Sequence, residues 1–150
     1  MGRIHKLPKV NEKATKKAVE RKLSDYRSYL ITLPVSLLPK VTPSYSLVPP
    51  SHTNEFYSST EAVAIERLEF ERERNAFLEE VQTAVNTLKE HEREIIYRKY
   101  MEQEAAYDMD IWTDLGLGRT KFYKVQGEAM LRLAFALKIE VYRNHGEVEE

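Results

Sequence analysis

The sequence predicts an all-α protein: a basic N-terminal helix, a proline-rich connector, a long helix and a C-terminal helix-turn-helix domain. Three observations predict it. Apolar residues recur at spacings of three, four and seven instead of alternating, which is the period of amphipathic helices. Five of the six prolines fall between residues 34 and 50, so the helix breaks are gathered in one connector. Gly116 and Gly118 interrupt the apolar pattern near the C-terminus and divide a short helix from a longer one.

The first helix is expected over about 11–31, with Asn11 as its cap. Val19, Leu23, Tyr26 and Leu30 give it one apolar stripe opposite the lysines. Pro34 ends it. From Pro34 to Tyr57 the chain reads as an extended loop stiffened by Pro39, Pro43, Pro49 and Pro50. Its apolar members, among them Val35, Leu37, Leu38, Val41, Leu47 and Val48, are too many for a free linker, so the loop is expected to lie against a surface of this or another subunit. Ser58-Ser59-Thr60-Glu61 reads as a capping box opening a helix over about 60–87. Val63, Phe70, Phe77 and Ala84 repeat there every seven residues, a candidate oligomer seam that burial within one chain would explain equally well. A fourth helix is expected over about 90–102, with Ile95, Ile96, Tyr97 and Tyr100 buried and Arg93, Arg98 and Lys99 on its basic side; residues 102–107 then read as a hinge.

The hairpin comes last. Asp108 is positioned to cap a short helix striped by Ile111 and Leu115, and Gly116 follows where that helix must stop in a left-handed conformation. Phe122, Val125, Ala129 and Leu133 line the inner face of the second helix, which is expected to run on into residues 138–142. Its first exposed face is Arg119, Thr120, Lys121, Tyr123 and Lys124. A helix-turn-helix places such a face in the major groove of double-stranded DNA. The same spacing also fits an αα-hairpin whose basic face is merely solvated. Trp112 departs from an ideal motif, because it stands where a small residue usually lets the two helices cross.

Composition bounds the reading. At 150 residues, 42% of them hydrophobic, the chain has material for one core, or for a small domain and an arm, divided here as 1–57 and 58–150. Without cysteine it has no disulfide or thiolate metal site, which suits the cytoplasm. No apolar run approaches the roughly 18 residues of a membrane span, and MGRIHKLPKV lacks the apolar core of a secretory signal, so no membrane partner is expected. Charge is segregated. Residues 1–30 hold nine basic and three acidic residues, 58–92 four and nine, and 111–138 five and two. Two basic zones suit contact with phosphates at two places; pairing of the acidic helix with the basic N-terminal helix would also account for the first. The four histidines are scattered, and His91 with Glu94 offers two potential ligands on one face where zinc needs three or four. Glu66, Glu69, Glu73 and Glu80 read as a solvated face. With no phosphate loop or nucleophile motif, no enzyme activity, metal or cofactor is expected.

Two resemblances add to this. Leu88, Glu92-Arg93, Ile95-Ile96 and Arg98-Lys99-Tyr100, followed by 108–133, resemble region 4 of sigma-70-type factors. By that resemblance Arg119, Thr120, Lys121 and Lys124 are groove contacts, Arg93 and Lys99 are phosphate contacts, and the host RNA polymerase is a further partner. Most of residues 20–142 resembles the ArpU family of phage-encoded regulators, relatives of the RinA-type late-gene activators. The carrying residues are Tyr100 through Tyr107-Asp108, Leu115-Gly116, Thr120-Lys121-Phe122-Tyr123, Ala129 with the run Leu133 to Tyr142, and Ser44 to Ser51. The resemblance implies a sequence-specific DNA-binding transcriptional regulator in the bacterial host's cytoplasm, an activator of phage packaging and lysis genes. A phage DNA-packaging component, such as a small terminase-like recognition subunit, is the alternative, and a protein-interaction adaptor a third. A homo-oligomer, a dimer or higher, is expected, because one recognition helix reads only a few base pairs.

Overall fold

A computed structural model describes residues 9–48 and 60–144, and these are mostly helical. Helix α1 spans Glu12–Leu30, and Asn11 caps it by accepting a hydrogen bond from the Ala14 N–H at 3.0 Å. Its stripe of Val19, Leu23, Tyr26 and Leu30 is buried, as the spacing predicts.

The connector departs from a plain loop. A short 3-10 turn at Val35–Leu37 leads into a small antiparallel hairpin, β1 (Lys40–Val41) and β2 (Leu47–Val48), in which Val41 faces Leu47. Leu47 is buried, and Leu38 and Val41 pack against the core of the same chain, while Val35 and Val48 stay exposed. Asn86 holds the hairpin from below: it accepts from the Leu47 N–H at 3.0 Å and donates to the Leu47 carbonyl at 3.3 Å. A two-stranded ribbon is marginal alone, and this one stands because its apolar face rests on helix.

Helix α2 spans Glu61–Asn86. Its cap position is Thr60, with no side-chain cap bond, so Glu61 is not the third residue of a capping box as expected; Ser58 and Ser59 lie outside the described residues. The C-terminal half carries the burial, through Leu78, Val81, Ala84 and Val85, whereas every residue from 61 to 70 is exposed. Helix α3, Glu90–Ile96, continues as a π-helical turn over Tyr97–Met101. At its start Glu92 accepts from the Lys89 N–H at 3.0 Å, and its buried carboxylate also meets Arg132 at 3.3 Å. Helices α4 (Asp108–Leu115) and α5 (Arg119–Leu137) follow, joined across Gly116 at φ 69°. Glycine takes that left-handed conformation without the Cβ clash that opposes it in other residues.

Helix α5 runs through two cores. Ala129, Met130, Leu133, Ala134 and Leu137 join α1, the second half of α2, Ile96 and Met101 in the main cluster. Phe122 meets Ile95 and Ile111 in a second, smaller one, with Trp112, Leu115 and Val125 around it. Past Leu137 the helix does not continue as expected. Lys138 turns left-handed at φ 59°, and the chain runs back alongside the start of α1. Val10 bridges Tyr142, and the Asn11 N–H donates to the Val141 carbonyl at 2.7 Å. Fraying, which the sequence suggests from Asn144 on, falls on residues that apart from Asn144 lie outside those described. No described helix is long and apolar enough to cross a membrane.

Tyr26 makes the core sensitive to alkali. Its hydroxyl accepts from Gln82 at 3.1 Å, and burial pushes its pKa from 10.0 to about 12. A raised acid pKa gives stability that is present below pH 10 and is lost as pH rises through about 12, at ~1.4 kcal/mol per pH unit for one proton. Half-buried Tyr100, also pushed to about 12, works in the same sense. Urea melts across the alkaline range are expected to show a steep loss of stability, with a shallower slope for Tyr26→Phe.

Candidate nucleic-acid interface

The first two turns of α5 present Arg119, Thr120, Lys121, Tyr123 and Lys124 to solvent, while Phe122 between them is fully buried. With Phe122 buried and Val125 half-buried, the other side chains of these turns face outward. The helix starts at Gly118 without a side-chain cap, so the positive end of its dipole adds to the basic residues of its first turn. Glu128 is exposed one turn beyond Lys124, on the same face by its spacing, and bounds the basic surface. The sequence reading did not single it out, although the four-residue spacing carries the signal.

Trp112 does not sit between the crossing helices. Ile111 fills that place with Ile95 and Phe122, and Trp112 lies half-buried at the rim, edge-on to Phe122 at 5.6 Å and to Tyr123 at 6.2 Å. This removes the steric objection to a close crossing.

Asp108 is not the cap of α4 as expected; that position is Tyr107, and Asp108 belongs to the first helical turn. Its carboxylate instead gathers three elements. Lys99, from the π turn, lies at 3.1 and 3.2 Å from its two oxygens, and the Tyr123 hydroxyl donates to it at 2.9 Å. Lys99 also donates to Gln126 at 3.0 Å. The bond to Asp108 raises the pKa of Tyr123, since ionising the phenol would break it and set two anions side by side. Arg98 ties the same turn to α4 through Asp114 at 2.8 Å. The segment expected to be a hinge is pinned as well: Arg27 of α1 donates to the Glu102 carbonyl at 2.8 Å and to that of Lys99 at 2.7 Å.

Arg119, Thr120, Lys121, Tyr123 and Lys124 are thus brought together, with Lys99 beside them at 5.8 Å from the Tyr123 ring, while Arg93 is turned to the connector. Arg93 donates to the Ser44 carbonyl at 3.1 Å and to that of Leu88, holding the connector to α3. Lys99 is held within the Asp108 network. Sequence spacing could not find these commitments, because their partners come from distant segments. Lys99→Met is expected to cost about 1–2 kcal/mol of stability by removing the ammonium that Asp108 and Gln126 share, as read by urea denaturation. A loss of DNA affinity at unchanged stability would instead assign Lys99 to phosphate.

The two basic zones are neighbours. Helix α1 packs against α5, and a Cβ on Gly127 would come within 3.2 Å of Lys16 Nζ. Only Lys22, at 3.5 Å from Glu80, forms an ion pair between basic α1 and acidic α2 among the described residues.

Comparison with known proteins finds phage relatives. An uncharacterized phage-related protein of Listeria innocua is 30% identical over 141 residues, which is 94% of this chain and 99% of that protein. The "Putative autolysin regulatory protein ArpU" of Streptococcus phage O1205 is 30% identical over 139 residues, 92% of this chain and 94% of its own length. The chain belongs to the phage ArpU-like family. Protein Gp66 of Listeria phage A118 is 26% identical over 144 residues, 94% of this chain and 99% of that protein. No family profile and no solved structure matches the chain.

Proposed function

We propose that this ArpU-like protein is a sequence-specific DNA-binding transcriptional regulator that uses α4 and α5 as a sigma-region-4-like helix-turn-helix. The observation that carries the reading is the start of α5: four outward cationic or hydroxylated side chains, Arg119, Thr120, Lys121 and Lys124, stand around one buried Phe122 on a braced hairpin. In this reading Arg119 and Lys121 reach base edges, arginine being suited to guanine O6 and N7, and Lys124 meets a phosphate. Lys99 and Asp108 hold the hairpin in shape, and Tyr123 is oriented by Asp108 at the edge of the surface. The Streptococcus phage relative is named an autolysin regulatory protein, which supports a regulatory role.

The regulator is an activator of phage late genes and contacts the host RNA polymerase, working as a dimer or higher oligomer so that two recognition helices share one site. Reporter transcription from the phage's late promoter tests it. Activation that requires Arg119 and Lys121 is expected. Binding near packaging genes with no change in transcription would contradict the regulator and favour a packaging role.

A further inference from the structure

The first half of α2 is exposed on every side, yet it is not uniformly polar. Val63 and Phe70 continue the stripe that its second half buries, and Phe70 lies 6.0 Å from Tyr29 of the same chain. Ile65 and Leu68 belong to the opposite face, 52% and 48% exposed. With Glu61 and Arg72 they occupy positions four, three and four apart, the spacing of a coiled-coil seam. A seam pointing away from its own core needs a partner, and the order of residues along it identifies one.

The seam is self-complementary about the midpoint between Glu66 and Arg67, apolar residue matching apolar and acid matching base. Equally far from that point stand Ile65 and Leu68, Val63 and Phe70, and Glu61 and Arg72. We propose that a second copy of this chain covers the face, α2 against α2, antiparallel about a two-fold axis through that midpoint. A two-fold contact is self-complementary, so residue i meets j and j meets i. Ile65 then packs on Leu68 of the other copy, twice, and Glu61 faces Arg72 of the other copy, twice. The seam's flanks agree. Ala64 comes beside Glu71 of the other copy and Ala62 beside Glu69 of the other copy, so no acid faces an acid and the small side chains let the helices approach. A parallel pairing in register would set Glu61 against Glu61 and Arg72 against Arg72, which repel.

This deepens the two-copy reading above, and its test uses no DNA, so a failed dimer and a failed DNA reading remain distinguishable. Sedimentation equilibrium over a wide concentration series is expected to show a dimer for the full chain. Leu68→Glu should weaken it roughly a hundredfold or more, since symmetry applies every substitution twice. Glu61→Arg and Arg72→Glu should each weaken it, and the two together should restore it. All these side chains are exposed within one chain, so circular dichroism should stay unchanged.

Orientation is read by oxidative cross-linking, the chain having no cysteine of its own. Glu61→Cys and Arg72→Cys are eleven residues apart, about 16 Å along a helix. Each alone should fail to cross-link, and a mixture of the two should succeed. Cross-linking of either variant with itself would overturn the antiparallel arrangement. A monomer throughout, or a dimer indifferent to Leu68→Glu and to charge reversal, would overturn the proposal.

Discussion

The double variant Arg119→Ala, Lys121→Ala is expected to lose sequence discrimination on DNA while keeping the fold. Both side chains are exposed in the first turn of α5, and neither supports the cluster around Phe122. Each base contact removed should cost about 1–3 kcal/mol on the preferred duplex and much less on a scrambled one. Lys124→Ala offers the contrast. It should weaken all duplexes alike and lower the salt dependence by roughly one unit, as loss of a phosphate contact does. Fluorescence anisotropy with both duplexes separates the two. Wild-type binding by the double variant would make the hairpin a structural element and turn attention to the lysines of α1.

The second large effect falls on stability. Phe122→Ala should cost about 3–5 kcal/mol, the usual loss for emptying an aromatic site that cannot collapse. The cluster it leaves is small, Ile95 and Ile111 alone being fully buried there besides Phe122. The main core shares no buried residue with it, so the damage should stay local at first. Trp112, the single tryptophan, lies 5.6 Å from the Phe122 ring and reports on the hairpin, whereas circular dichroism follows all the helices. In the variant the tryptophan transition should come before the helical one in urea. Coincident transitions with a loss under about 1 kcal/mol would mean that the hairpin does not depend on this ring.

These effects show where the sequence was readable. Val19, Leu23, Tyr26 and Leu30 revealed the buried face of α1, and Asn11 its cap, because both signals are local to one helix. Gly116 revealed its turn because one backbone conformation demands it. The outward face of α5 followed from the spacing of Phe122, Ala129 and Leu133. What escaped depends on tertiary partners. Asp108 looked like a cap, since an acid before a short helix usually is one, but Lys99 and Tyr123 reach it from elsewhere in the chain. Arg93 looked like a surface cation until Ser44 and Leu88 were placed beside it. The end of α5 was hidden because Lys138 takes a left-handed conformation that favours glycine, held there by the return of the chain past α1. The β1–β2 hairpin was hidden among prolines because its support, Asn86, lies thirty-nine residues from Leu47.

The basic start of α5 is proposed to read DNA. The most direct test is the affinity of the unmodified protein for a duplex enriched from a random pool and for a scrambled one, at several salt concentrations. Log affinity should fall linearly with log salt on both, with the enriched duplex bound about a thousandfold or more tightly. Equal affinity for the two duplexes, or binding that ignores salt, would contradict it.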